Sequence, residues 1–216
     1  MTARFGIYFL PEEGTALAAF GQWWSQGADG LIDPALLAAP RRYGFHATLK
    51  APMHLAAGTT VDGLAAAITA FAATRRQALG PPLVVKALND FIALRPAAPC
   101  GALDRLAADC VTAFDPFRAP LTAAELERRR GLPLTGQQGR LLDRWGYPYV
   151  FDQFRFHMTL TDRVADPAQR RALAAALRPR AAAVAAAPLI VGSLCLMMQA
   201  TDAAPFLPLR RIPLAA

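Results

Sequence analysis

The sequence predicts a single domain in which strands and helices alternate and a strand–helix–hairpin unit occurs twice. The chain has 216 residues, which is more than one typical domain and less than two. Hydrophobic residues make up 54% of the chain and charged residues only 18%, a composition that excludes disorder. The repeated unit occupies residues 43–95 and 154–214. A repeat of this length indicates duplication within one domain rather than a solenoid.

The first half of the chain carries clear strand and helix signals. Pro11 and Pro52 end two β-rich runs, and apolar residues at helical spacing define the helix between them. Thr59 and Asp62 resemble a capping box, and Asn89-Asp90 is typical of a hairpin turn. The expected elements are a strand over 4–10, a helix over 13–26, a loop over 32–42, a strand over 43–51, a helix over 61–79, and a hairpin of strands over 83–88 and 91–95.

The second half repeats the pattern after a helical insertion. Thr122 and Glu125 form a capping box, and Asp166 followed by Pro167 is an N-cap with proline at the first helical position. The expected elements are helices over 101–114 and 122–131, a helical turn over 140–145, a strand within 150–164, a helix over 168–177, and strands over 189–199 and 206–214.

The chain is basic, with a formal net charge of +7. Of its 23 basic residues only Lys50 and Lys86 are lysine, so arginine carries most of the positive charge. The guanidinium fork matches phosphate oxygens bidentately, which favours a phosphate-containing partner. A biased amino-acid composition explains the same excess equally well. The basic doublets are scattered and do not form the single stripe of a dedicated nucleic-acid binder.

Cysteine usage and the start of the chain predict a cytoplasmic protein. Cys100, Cys110 and Cys195 are odd in number and form no Cys-x-x-Cys pair, so neither a disulfide framework nor a zinc finger is expected. The short apolar run at the start is followed at once by Pro11 and acidic residues, unlike a signal peptide. No apolar stretch is long enough to span a bilayer, so we expect no membrane partner.

Two strands carry the same pattern, Phe-His-x-Thr-Leu, at residues 45–49 and 156–160. They use two of the three histidines in the chain. Side chains alternate along a strand, so His46 shares a face with Thr48, and His157 shares a face with Thr159. If the duplication places the two strands side by side, two imidazoles and two hydroxyls converge on one cleft. A single such histidine is more often structural, whereas the matched pair favours function.

Such a cleft suits chemistry on a phosphodiester. A neutral imidazole can accept a proton from the attacking nucleophile, while a protonated imidazole donates one to the leaving oxygen. The hydroxyls of Thr48 and Thr159 can hold the phosphoryl group. The partners on these strand faces are hydroxyls rather than carboxylates, which argues against a metal-dependent hydrolase. We therefore expect no metal and no cofactor.

The surroundings of both motifs support a family assignment. Residues 41–52 read RRYGFHATLKAP and residues 154–161 read FRFHMTLT. These stretches resemble the two-histidine (2H) phosphoesterase superfamily, which includes RNA 2′,3′-cyclic phosphodiesterases and RNA ligase-like enzymes. They are similar to a bacterial branch often encoded with phosphonate-degradation genes. Residues 4–8 and 91–96 also fit, so the resemblance covers nearly the whole chain.

The resemblance implies a fold and roles for the motif residues. The fold is a bilobal α+β arrangement with pseudo-twofold symmetry, in which two antiparallel sheets flank a central cleft and helices lie outside. One domain would span residues 1–216, with one lobe at about 43–96 and the other at about 148–214. His46 and His157 would be the acid–base pair, and Thr48 and Thr159 the phosphate binders. Which histidine is the acid stays open.

Five more residues are candidates for substrate binding. Lys50 and Thr161 continue the two motif faces, and Arg155 precedes His157 on the same face. Arg41 and Tyr43 lie before the first motif, where they could contact phosphate or stack on a base or sugar. For Lys50 a plain position at the end of a strand is an equal alternative. For Arg41 and Tyr43 the alternative is a solvated loop, and for Arg155 it is simple exposure to solvent.

The sequence thus predicts a metal-independent phosphoesterase that acts on a cyclic phosphodiester. The substrate would be a 2′,3′-cyclic nucleotide, an RNA end or a ribose cyclic phosphate, with a link to phosphonate metabolism implied by the resemblance. The alternative is a non-catalytic module that binds a nucleotide, RNA end or sugar phosphate in the same cleft. The expected partner is a phosphate-containing small molecule or RNA end, and we expect a monomer.

Overall fold

Every pair of neighbouring strands in the protein is antiparallel. The computed structural model describes residues 3–215, and nine strands form within them. In chain order they are β1 (Arg4–Phe9), β2 (Ala47–Met53), β3 (Ala78–Gly80), β4 (Leu83–Leu88), β5 (Phe91–Pro96), β6 (Met158–Thr159), β7 (Leu189–Val191), β8 (Ser193–Gln199) and β9 (Leu207–Pro213). β3 and β7 form a small sheet, and the other seven strands form one large sheet in the order β4–β5–β6–β2–β1–β8–β9.

One residue pair joins the two motif strands. β2 and β6 are paired only at Ala47 and Met158, both of which are buried. The α+β class is confirmed. The strands on the two sides of the expected cleft, however, belong to one continuous sheet rather than to two separate sheets. Its halves are β4–β5–β6 and β2–β1–β8–β9.

The hairpins are exchanged between these halves. The β4–β5 hairpin follows the first motif in the chain but pairs with β6, which carries the second motif. The β8–β9 hairpin follows the second motif but pairs with β1, next to β2. The expected lobes at 43–96 and 148–214 therefore do not coincide with the two halves of the sheet. Each half contains strands from both parts of the chain.

Eight α-helices accompany the strands of residues 3–215. They are α1 (Ala16–Ser25), α2 (Pro34–Arg41), α3 (Val61–Ala73), α4 (Gly101–Ala113), α5 (Ala123–Arg130), α6 (Gly136–Trp145), α7 (Pro167–Leu177) and α8 (Ala182–Ala185). The capping box at Thr122 and the cap at Asp166 are confirmed.

Two segments differ from the prediction. α2 occupies most of the expected loop, because Asp33 caps its first turn by accepting the Ala35 N–H at 2.8 Å and Pro34 fits the first helical position. The expected helix over 61–79 ends at Ala73, and the residues after it form the edge strand β3.

The main core lies on one face of the large sheet. Helices α1, α3, α4 and α7 bury apolar side chains in a cluster that includes Ala47, Leu94 and Met158. A second, smaller cluster of Tyr8, Cys195, Met197 and Phe206 lies apart from it. Tyr8 and Ile7 are neighbours in β1 and point to opposite faces. Since Ile7 belongs to the main core, the small cluster marks the other face of the sheet, which holds the motif histidines.

Candidate active site

The register of β2 and β6 brings the four motif residues together. Ala47 and Met158 are opposite each other and face the core. Because the pairing is antiparallel, His46 lies across from Thr159 and Thr48 lies across from His157. Side chains opposite each other in this way are typically about 4.5–5.5 Å apart at Cβ. The two imidazoles and two hydroxyls thus form a compact group on the face opposite the main core.

His46 is held by a backbone carbonyl, a hydroxyl and an aromatic ring. Its Nδ1–H donates to the Gly44 carbonyl at 3.0 Å, and the Thr48 hydroxyl lies 3.2 Å from Nε2. Tyr8 stacks on the ring, with centroids 4.1 Å apart and an interplanar angle of 18°. Burial lowers the pKa of His46 to about 4, and a positive charge on His157 lowers it further, while the bond to Gly44 opposes the shift. His46 is therefore neutral at pH 7.

His157 has the same backbone anchor but a different neighbourhood. Its Nδ1–H donates to the Arg155 carbonyl at 2.7 Å, two residues back as in the first motif. Phe91 approaches the ring at a centroid distance of 5.7 Å. Burial lowers the pKa of His157, the bond to Arg155 opposes this, and the charge of Arg95 lowers the pKa further. Among the described residues nothing is hydrogen-bonded to Nε2, so this nitrogen is available to a substrate.

A β-bulge changes the direction of β2 immediately after the motif. Thr48 is opposite Tyr8 on β1. Lys50, two residues later on β2, is opposite Ile7, which comes only one residue before Tyr8 on β1. Leu49 is therefore an extra residue on β2, and the alternation of faces is broken there. Lys50 points to the same side as Ile7, which belongs to the main core.

The bulge removes Lys50 from the cleft. The side chain is buried, and the residue keeps only 3% of its surface exposed. The ammonium donates to the Val111 carbonyl at 3.0 Å and lies 3.5 Å from the Asp115 carboxylate. Burial lowers the pKa of Lys50 to about 8, and Asp115 opposes that shift. The expected place of Lys50 beside the phosphate is corrected accordingly: it binds the end of α4.

Two other side chains that were expected to bind substrate form hydrogen bonds within the protein instead. Thr161 is fully buried, and its hydroxyl accepts the Ile92 N–H at 3.0 Å, which ties the end of the second motif to β5. Arg41 closes α2, and its guanidinium donates to the Trp24 carbonyl at 3.3 Å near the end of α1. Neither side chain reaches the motif histidines, so both expectations are corrected.

Tyr43 and Arg155 do border the cleft. Tyr43 is 38% exposed, lies 6.2 Å from the His46 ring by centroids, and stacks on Phe206 at 5.3 Å. Arg155 is exposed and lines the same cavity as His157. One Arg155 nitrogen donates to the Asp152 and Phe154 carbonyls at 2.7 and 2.6 Å. These two residues flank the entrance from the two motif sides.

Sequence reasoning missed the side chains that other segments bring to the site. Tyr8 comes from β1 and is almost fully buried under His46. Gly6 makes room for it, because a Cβ at position 6 would lie 2.8 Å from Tyr8 Cε1. Arg95 comes from β5, and Tyr147 from the segment after α6. The only sequence signal for Tyr8 was its place in the N-terminal run that carried the family resemblance.

A cavity of about 290 Å³ adjoins the motif residues. Of the four motif residues Thr48 and His157 line it, together with residues of β2, the β4–β5 hairpin, α4 and the segment before β6. Its volume is near the lower end for small-molecule sites. The lining includes Thr48, Phe91, Tyr147, Tyr149, Arg155 and His157.

Two further observations concern the described residues as a whole. Residues 3–215 contain no group of three or more histidine, cysteine, aspartate or glutamate side chains arranged to hold a metal ion. In the same residues, no helix combines the length and the apolar character needed to cross a bilayer.

A family model described as "Protein of unknown function (DUF1045)" matches residues 48–207, well over half of the chain. The chain belongs to this family. The match begins two residues after His46 and includes the whole of the second motif.

The DUF1045 chain also has curated relatives that are longer. It is 38% identical over 228 residues to a Janthinobacterium sp. (strain Marseille) protein named "Ribose 1,5-bisphosphate phosphokinase PhnN", and the match covers 97% of this chain and 50% of that protein. A protein of the same name from Laribacter hongkongensis (strain HLHK9) is 33% identical over 174 residues, covering 74% and 40%. The chain spans half or less of these relatives, and the kinase activity in their name belongs to the longer proteins.

Solved structures with the same fold include LigT from E. coli. Its complex with 3′-AMP matches with a TM-score of 0.51 and 13% identity, covering all of both chains. Its complex with NADP+ matches equally well, covering 100% of this chain and 99% of LigT. At this identity the likeness shows the fold alone. The DUF1045 chain therefore has the 2H phosphoesterase fold that the sequence resemblance implied.

Proposed function

We propose that the protein is a metal-independent phosphoesterase that hydrolyses a cyclic phosphodiester. The observation that carries this proposal is the pairing across β2 and β6, which sets His46 and His157 against each other's threonine on one face. Two imidazoles with their hydroxyl partners are sufficient for acid–base chemistry on a phosphoryl group.

The anchoring of the rings defines how each histidine would act. Each Nδ1–H donates to a carbonyl oxygen, so the neutral ring carries its lone pair on Nε2, which in His46 lies 3.2 Å from the Thr48 hydroxyl. His46 has its pKa lowered to about 4 and stays neutral, which suits the general base. His157 has fewer contacts and is the acid. The charge of a bound phosphate raises the pKa of a neighbouring imidazole and so favours its protonated form.

The proposed step conserves atoms and charge. His46 Nε2 takes a proton from water as the water oxygen bonds to phosphorus. The bond from phosphorus to one ester oxygen of the ring breaks, and that oxygen takes the proton from His157. The products are a phosphomonoester and a free hydroxyl. Thr48 and Thr159 donate to the non-bridging oxygens, where negative charge builds up.

The relatives support a ribose phosphate as the substrate. LigT was solved with 3′-AMP and with NADP+, both of which contain phosphorylated ribose. The longer relatives are named for ribose 1,5-bisphosphate. Hydrolysis of a phosphate ring across the C1 and C2 oxygens of ribose 5-phosphate, with cleavage at O2, would produce that compound. The PhnN name also supports the expected link to phosphonate metabolism.

The decisive experiment is turnover of a substrate panel by wild type and histidine variants. The panel contains 2′,3′-cyclic nucleotides, a 2′,3′-cyclic RNA end and ribose cyclic phosphates. We expect His46→Ala and His157→Ala each to lower kcat by about 10³-fold or more, with unchanged circular dichroism. His54→Ala is the matched control, because His54 binds the Ala3 carbonyl and Glu125 instead. EDTA should have no effect.

Two outcomes would contradict this proposal. Wild-type turnover in both histidine variants would refute the acid–base assignment. Tight binding with no product at high enzyme concentration would mean that the protein is a binding module for a nucleotide, RNA end or sugar phosphate.

A further inference from the structure

Two arginines lie beside the reacting group without belonging to it. The Arg4 guanidinium is 5.9 Å from the centre of the Phe206 ring, and that ring packs on Tyr8 and Tyr43 around His46. Two aromatic rings, Phe206 and then Tyr8 or Tyr43, therefore lie between Arg4 and the His46 imidazole.

Arg129 reaches the same cleft from α5. Its guanidinium lies 5.8 Å from the centre of the Tyr147 ring, and Tyr147 lines the cavity together with Thr48 and His157. Burial lowers the pKa of Arg129 most, Tyr147 and Glu125 oppose that shift, and the charges of Arg128 and then Arg4 lower the pKa further. Arg4 and Arg129 thus come from different segments, and each lies over an aromatic ring next to the site.

Arg129 is a half-buried cation that forms no direct ion pair with the described residues. Within residues 3–215 its guanidinium donates to the Gly146 carbonyl and lies over the Tyr147 ring. No carboxylate of those residues lies within 4 Å of it. The nearby acid, Glu125, acts on the charge of Arg129 from beyond that distance and is hydrogen-bonded to the Thr122 backbone and hydroxyl. A half-buried charge without a direct ion pair is only partly compensated, and a bound anion would supply the direct partner.

The Arg4 guanidinium is held by two neighbouring side chains, but not all of its N–H donors are engaged by them. Its Nε and Nη2 donate to the Gln199 side chain, and Nη2 is also 3.4 Å from Asp202. Asp202 has a largely exposed carboxylate, so this ion pair is weak. Nη1 takes part in none of these contacts and can donate to an incoming oxygen.

We propose that Arg129 and Arg4 form a subsite for a second phosphoryl group of the substrate. The cleft would then prefer a ribose cyclic phosphate that also carries a phosphate monoester over the same compound without it. This inference rests on the proposed function, because it assigns the specificity of the same cleft. Arginine suits the role, since its planar fork binds phosphate oxygens in pairs.

A matched pair of substrates tests the subsite. The probes are adenosine 2′,3′-cyclic phosphate and its 5′-phosphorylated form. We expect wild type to have a kcat/KM about 10- to 100-fold higher for the phosphorylated probe, the contribution of one or two charge-assisted hydrogen bonds. In Arg129→Gln this ratio should fall close to one. Arg129→Lys, which keeps the charge but not the fork, should retain part of it.

The control is Arg128→Gln, which removes an exposed arginine from the same helix and should keep the full ratio. A purely structural role for Arg129 would lower kcat/KM for both probes alike and leave the ratio unchanged. That result would overturn the subsite.

A binding measurement separates failure of the subsite from failure of the proposed function. Calorimetry with ribose 5-phosphate and with ribose needs no turnover. We expect ribose 5-phosphate alone to bind, about tenfold or more weakly in Arg129→Gln. If ribose 5-phosphate binds in this Arg129-dependent way but no cyclic probe is hydrolysed, the proposed hydrolase activity is refuted and the subsite proposal stands. The opposite result is hydrolysis of both probes at equal kcat/KM, together with ribose 5-phosphate affinity that is the same in wild type and Arg129→Gln. It would refute the subsite and leave the proposed hydrolase activity standing.

Discussion

The two halves of the site carry the same His-x-Thr pair but surround it differently. On the His46 side, Tyr8 is opposite the motif threonine, and Gly6 lies two residues before it on β1. On the His157 side, Ala93 is opposite the motif threonine, and Phe91 lies two residues before it on β5. The aromatic and the small residue have exchanged places.

The two imidazoles also differ in how they are packed and in the charges near them. Tyr8 stacks flat on His46, and its hydroxyl bonds to Thr48, so that side is tightly packed. His157 meets Phe91 at a tilted angle and has the Arg95 charge nearby. The comparison teaches that a duplicated motif supplies equivalent side chains, whereas the neighbouring strands make their surroundings different; under the proposed function, that difference assigns the acid and the base.

The largest difference should come from removing the motif hydroxyls. We expect Thr48→Val to lower kcat/KM by about 100-fold and Thr159→Val by about 10-fold, since each loses a hydrogen bond to the phosphate. The effect at Thr48 is larger because its hydroxyl also contacts His46 Nε2. Thr→Ser at each position is the control and should restore most of the activity. Equal losses at the two positions would mean that the halves are equivalent.

A smaller difference should follow from changing the small residues. In Gly6→Ala the new Cβ would lie 2.8 Å from Tyr8, which must move and loosen its stack on His46. We expect kcat/KM to fall about 10-fold, with the effect in kcat rather than in KM. Ala93→Gly, the matched change in the other half, should leave kcat unchanged. If kcat fell in Ala93→Gly but not in Gly6→Ala, the packing around His157, and not that around His46, would be the more important for turnover.

The smallest effect concerns the pH profile. The base must be neutral, so kcat/KM should fall as the pH drops through about 4, the lowered pKa of His46. The acid must be protonated, so kcat/KM should also fall as the pH rises through the lowered pKa of His157. Removing the charge in Arg95→Gln raises that pKa and should move the upper limb to higher pH. Arg105→Gln, on the exposed side of α4, should not move it.

An unchanged upper limb in Arg95→Gln would show that the limb belongs to another group. In that case His157 would not be the acid of the free enzyme, and the roles assigned from the two surroundings would need to be reversed.

The two-residue alternation of side chains along a strand was enough to predict which strand face carries the motif side chains. His46 and Thr48, like His157 and Thr159, point the same way because the period of a strand is two, and the sequence shows this directly. It also shows that the two strands match. The resemblance then supplied the expectation that they lie side by side, which the Ala47–Met158 pair bears out.

The rest depended on pairings that one sequence does not display. Lys50 leaves the cleft because β2 has one more residue than the facing part of β1, and a bulge is a property of two strands. Tyr8 and Arg95 reach the histidines through register with β2 and β6. Arg129 arrives from a helix far along the chain. Three arginines end that helix, and the sequence alone does not show which of them is half-buried.

The single pair between β2 and β6 has a mechanical consequence. A sheet usually resists opening because a whole row of paired residues must separate at once. At this seam the row contains one pair, and it runs between the two histidines. The exchanged hairpins keep each half well paired on its own side. Few backbone hydrogen bonds therefore join the halves along the line of the two histidines, and the core shared by both halves on the other face holds them together.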